Sequence, residues 1–203
     1  MIDYTWLIFA LPSIIIASTI HEYAHAYTAY RLGDATAKAE GRLTLNPLAH
    51  IDPLGALSMI FFRFGWSKPV PINEYNFEKR EKCTALVAVA GPISNILLLL
   101  LTALLNYILK PNTQSMLGVF LLVFASVNCA LAVFNLIPVP PLDGHKIVRG
   151  LLPKKLSYYW DDLEKFSIFL IILLILPIFG SHSLVSLVMS PIITLLLDLT
   201  GFL

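Results

Sequence analysis

The sequence predicts an all-α polytopic membrane protein, with about four to six transmembrane or re-entrant helices and a short β-like insertion near the cytoplasmic face. Three observations predict it. Of 203 residues, 57% are hydrophobic and 13% charged, against ~25% charged in an ordinary soluble domain. Mean hydropathy is +0.77. Apolar runs close to the ~20 residues needed to cross a bilayer recur along the chain, with no charge between Tyr4 and Ile20.

The elements follow in order. The first helix should run from about Tyr4 to Leu32, loosened at Pro12 and capped by Gly33. The apolar segment stays in the mature chain on this reading, because Met1-Ile2-Asp3 lacks the basic start of a secretory signal. Residues 34–53 turn polar, and Gly41-Arg42-Leu43-Thr44-Leu45 alternates as a half-buried strand would. Leu54 to Phe64 is apolar but too short to span, which favours a re-entrant or interfacial segment. Lys68-Pro69-Val70-Pro71-Ile72-Asn73 can be an edge strand only, since proline donates no ladder hydrogen bond. Thr84–Leu109 and Met116–Ile137 are full spans. A polar, basic stretch covers 138–165, and the apolar remainder from Phe166 is broken at Pro177, 180–183 and Pro191 into a span and a short returning helix.

Cations set the orientation. If 54–64 does not cross, eight Lys/Arg of 31–82 and five of 146–165 share one side, leaving Lys110 alone on the other. If it crosses, the split is ten to four. The positive-inside rule favours the first arrangement, in the cell membrane with the N-terminus outside. It also gathers His21, His25 and the proline-rich loop after the third span at the cytoplasmic face. The basic residues of 146–155 then face anionic lipid. A net charge of +1 without a basic tract argues against a nucleic-acid partner. Cys83 and Cys129 fit neither a disulfide framework nor a Cys-x-x-Cys metal site and read as free thiols.

The chemistry is concentrated in His21-Glu22-Tyr23-Ala24-His25. Residues four apart share a helix face, so both imidazoles can ligate one Zn²⁺. Glu22 lies about 100° round the helix, where it can take a proton from a water on that metal. Ionisable groups inside a span are costly, which makes them functional candidates. A catalytic zinc takes three protein ligands. Among His50, His145, His182, Asp52 and Asp143, the best placed is Asp143, in a turn after a span that returns to the cytoplasmic side. His145 and His182 read as loop residues. His50 and Asp52 read as outer-shell or substrate-facing groups on the loop that caps the site. Gly91, Pro92 and Asn95 fit either a helix-packing notch or the site, and Asn128 reads as an interhelical hydrogen-bonding group.

His21-Glu22-x-x-His25, Gly91-Pro92-x-x-Asn95 and Asn135-x-x-Pro138-x-Pro140-x-Leu142-Asp143-Gly144, in that order, resemble the site-2 protease family of intramembrane zinc metalloproteases. The segment from Asn46 to Gly55 is similar to that family's small branch, and the chain has no room for the PDZ or CBS domain of many relatives. The resemblance implies one zinc per chain on His21, His25 and Asp143, Glu22 as catalytic acid/base, and Asn135 placing substrate. It implies a single integral-membrane protease domain over 1–203, its catalytic core at about 4–150 and its C-terminal apolar helices at 166–203, acting on transmembrane proteins or peptides within the lipid bilayer. The alternative is a silent membrane protein that binds or chaperones transmembrane segments around a structural zinc; such a chain has no use for Glu22. A small transporter would want paired half-helices about a midplane site, whereas these residues gather towards one face.

Overall fold

The computed structural model describes residues 4–62, 65–177 and 182–202, all helix, turn and extended connection. Three long helices carry the fold: α1 (Tyr4–Arg31), α4 (Arg80–Leu109) and α5 (Met116–Asn135). Among the described residues, α4 and α5 are the helices long and apolar enough to cross a membrane. Gly33, with φ of 108°, ends the turn after α1, a left-handed conformation that favours glycine. The Ser115 side chain accepts the Gly118 N–H and starts α5.

Helix α4 packs against both α1 and α5, and α1 and α5 meet each other. Small side chains allow the close approach: Ala10, Ala17 and Ala29 of α1 and Ala125 and Ala132 of α5 are buried. Large apolar residues of α4, including Leu97, Leu100, Leu101 and Leu104, face outward instead, as a helix in lipid requires. After α5 come α6 (Asp143–Leu151), α7 (Lys154–Asp161), α8 (Ser167–Ile175) and α9 (Leu184–Leu199). Helix α6 packs on α4, and Leu197 of α9 joins Leu99, Ala125, Cys129 and Val133 in one apolar cluster.

Between α1 and α4 lie α2 (Thr36–Ala39) and α3 (Pro53–Phe62). With 10 residues, α3 is about 15 Å long, half of a bilayer core. The expected end of that segment at 63–64, the N-terminal residues 1–3 and residues 180–181 of the expected break at 180–183 lie outside the described residues. Asp52 accepts the N–H groups of Leu54 and Gly55, both at 2.9 Å, and so caps α3.

The expected strand at 41–45 does not form, and among the described residues there is no strand. Residues 43–45 bend because Arg42 is drawn inward, its guanidinium donating to the Lys68 and Pro69 carbonyls at 2.6 and 3.1 Å. The alternation of that segment marked a buried arginine rather than a pleat. Within this insertion, strand-like pairing consists of an antiparallel bridge between Ile51 and Ser67 and a 2.8 Å bond from the Lys68 N–H to the His50 carbonyl.

Asp34 closes the base of this insertion. Its carboxylate accepts from the Thr36 N–H and hydroxyl, the Asn73 N–H at 2.8 Å and the Asn76 amide at 2.7 Å. Burial pushes its pKa up, but those donors outweigh burial and hold the carboxyl below its usual value.

Candidate metal centre

One helical turn of α1 supplies His21 and His25, with ring centroids 4.6 Å apart. Their Nε2 atoms are 3.0 Å apart, and Asp143 Oδ2 lies 3.1 Å from the first and 3.2 Å from the second. All three side chains are at least largely buried.

The other ring nitrogens decide what this triangle can hold. His25 Nδ1 lies 2.8 Å from the Val87 carbonyl, which can only accept, so Nδ1 carries the proton. His21 Nδ1 lies 2.6 Å from Asn95 Oδ1. With a proton on each Nδ1, both Nε2 lone pairs and a carboxylate oxygen point into one small space. Three acceptors so placed repel unless a cation lies between them. A tetrahedral zinc with bonds of ~2.0–2.1 Å needs ligand atoms about 3.3 Å apart, close to the triangle observed. The residues present therefore fit zinc, and among the described residues no other such trio converges.

Helix α4 comes close enough to hold both rings only because of Gly91. A Cβ there would lie 2.5 Å from Nε2 of His21 and of His25. Gly144 is required for a similar reason: a side chain would strike the carbonyl oxygens of Leu136 and Ile137. The start of α6, and with it Asp143, thus sits directly on the end of α5.

Glu22 is also buried, and the extended segment after α3 engages both of its oxygens. Ser67 Oγ donates to Oε1 at 2.5 Å and the Val70 N–H to Oε2 at 3.2 Å. Arg42 grips that segment from behind through the Lys68 and Pro69 carbonyls.

Residues 107–177 match the model of peptidase family M50. YwhC of Bacillus subtilis (strain 168), named as a candidate zinc metalloprotease, is 36% identical over 179 residues, covering 85% of this chain and 82% of its own. The chain belongs to peptidase family M50. Rip2 of Mycobacterium tuberculosis, also named as a candidate zinc metalloprotease, is 26% identical over 80% of this chain and 65% of its own. Zinc metalloprotease MJ0392 of Methanocaldococcus jannaschii is 25% identical over 84% of this chain, which spans only 42% of that protein. No solved structure matches the chain at comparable stringency. The named relatives imply a zinc cofactor, and family M50 fits the apolar helices of a membrane protein.

The remaining candidates of this M50 chain fall into place around the triangle. Asn95 touches His21 directly. His50 does not reach the ligands: its Nε2 bonds the Thr44 carbonyl at 2.8 Å and its Nδ1 faces Arg42 at 3.5 Å, so it braces the arginine. Asp52 serves α3, a role signalled by Asp-Pro ahead of an apolar run. Asn135 bonds back to the Leu131 carbonyl at 3.0 Å. His145 is not a loop residue; it is buried in α6 and stacked on Trp160 at 5.4 Å. His182 is exposed. Ser67, Arg42 and Asp34 had no motif to single them out.

Proposed function

We propose that this protein is an intramembrane zinc-dependent endopeptidase that cleaves transmembrane or membrane-proximal segments of other proteins. The observation that carries the proposal is the triangle of His21, His25 and Asp143 with a buried carboxylate, Glu22, one residue from its first corner. A zinc ion held there supplies a Lewis acid for the scissile carbonyl and acidifies a water. His21 and His25 would hold it through Nε2 and Asp143 through a carboxylate oxygen, one ion per chain.

Glu22 is the proton carrier: its carboxylate accepts the proton of the attacking water and passes it to the leaving amine. Ser67 and the Val70 N–H keep that carboxylate in place beside the metal ligands rather than among them. The cation distribution supports an N-terminus outside and a site opening towards the cytoplasm, with α1, α4 and α5 as full spans, α3 re-entrant and α8–α9 completing a single domain.

A substrate helix hides its carbonyls in its own hydrogen bonds and must be extended before cleavage. The segment 69–73 suits the task of holding it by strand addition. Pro69 and Pro71 have no N–H, and Arg42 occupies the Lys68 and Pro69 carbonyls. Among the described residues, the Val70 carbonyl and both main-chain groups of Ile72 carry no hydrogen bond. The test is a panel of single-span substrates differing only in helix stability, incubated with purified protein in liposomes. Helices weakened by Gly or Pro should be cleaved far faster than stable ones; equal rates would remove the unwinding step.

A further inference from the structure

Two buried asparagines stand behind His21, and only the nearer one touches it. Asn128 of α5 and Asn95 of α4 are both fully buried. A side-chain amide has a donor end and an acceptor end, so each can be oriented by its neighbours. The Asn128 amide nitrogen donates to the Phe124 carbonyl of its own helix at 2.9 Å, which turns Oδ1 towards Asn95. The Asn95 nitrogen spends one proton on that oxygen at 3.0 Å and the other on the Ala17 carbonyl at 3.2 Å. Only Asn95 Oδ1 is left for His21, at 2.6 Å.

We propose that Asn128 is a positioning residue of the metal centre, fixing the Asn95 amide and through it the tautomer of His21. The proposal rests on His21 being a zinc ligand. With an acceptor facing it, His21 Nδ1 keeps the proton and Nε2 offers its lone pair. A flipped Asn95 amide would present a donor instead, shift the ring proton to Nε2, and aim that proton at His25 and Asp143. The chain from His21 through Asn95 and Asn128 to the Phe124 carbonyl runs donor to acceptor without a break, across three helices. Interhelical glue is the competing role for a buried asparagine pair, and it affects stability without selecting a tautomer.

The test is zinc affinity of the purified full chain, measured by competition with a chromophoric chelator, alongside the visible spectrum of the cobalt-substituted protein. Asn128→Leu keeps the volume and loses the acceptor; its zinc affinity should fall about 10-fold or more, within the ~10–100-fold range of outer-shell changes, and its cobalt bands should shift. Asn128→Asp, protonated between the helices, can still donate to the Phe124 carbonyl and accept from Asn95. It should stay within about 3-fold of the parent on the same reasoning. Asn128→Ser, whose short hydroxyl bonds its own helix, should weaken binding as the Leu variant does and replaces it if that variant does not fold. Parental affinity in the Leu or Ser variant overturns the proposal, as does an Asp variant as weak as both. A parent chain that binds no zinc would instead overturn the metal site itself.

Discussion

Replacing Gly91 by alanine adds one methyl group at the point where α4 crosses the two histidines. That methyl would lie 2.5 Å from Nε2 of each ring and from Cε1 of His21, whereas ordinary carbon contacts begin near ~3.5 Å. One side must yield by about 1 Å, five times the ±0.2 Å that a metal–ligand distance tolerates. Overpacking typically costs about 1–3 kcal/mol, and here it falls on the ligand atoms. Zinc affinity should therefore drop by at least ~100-fold, equivalent to about 3 kcal/mol. Gly118→Ala is the control, because its methyl would strike the Asn112 carbonyl at the far end of α5. Zinc content after dialysis against graded chelator, with thermal unfolding of the apo forms, separates the two effects. Both variants should lose stability, and only Gly91→Ala should lose zinc. Equal zinc retention would refute the placement of α4 against the ligands.

Asp143→Ala should lose zinc at a chelator concentration that the parent survives, whereas His50→Ala should keep zinc and cleave about 10–100-fold more slowly; zinc lost with His50 and kept without Asp143 would exchange their roles. Asp34→Asn should cost about 1–3 kcal/mol near neutral pH by leaving donors unpaired. The folded-state pKa of Asp34 is lowered, so its contribution is complete above the unfolded value of ~3.9 and fades as pH falls through the folded one. Melts of parent and variant should thus converge in acid, and a gap that widens there would contradict the assignment. Cysteine placed at Asn112 should be labelled from outside and at Lys154 only from the cytoplasm; the opposite pattern would invert the orientation.

What the sequence revealed and concealed divides by range. His21, Glu22 and His25 lie within one helical turn, so their shared face follows from helix geometry alone. Asp143 was legible because a proline-rich turn after a span leaves few other places for a carboxylate. The Asn95–Asn128 pair was not, since it depends on which faces of α4 and α5 meet, and an asparagine in a span reads equally as glue. Gly91 was ambiguous for the same reason: its value lies in the rings of another helix. The alternation at 41–45 misled because a buried Arg42, held by distant carbonyls, has the period of a strand without the pairing. Asp52 caps α3 instead of facing the site, because the N–H groups of Leu54 and Gly55 lie within its reach.

Glu22→Gln in the purified, zinc-loaded chain tests the central claim most directly. The amide keeps the size of the carboxylate but cannot carry the proton, and it leaves His21, His25 and Asp143 untouched. Zinc content and cleavage of a single-span substrate are measured on the same preparation. Parent and variant should each hold about one zinc per chain, with cleavage confined to the parent. Cleavage by the variant at a tenth of the parental rate or more, with zinc retained, would contradict the account.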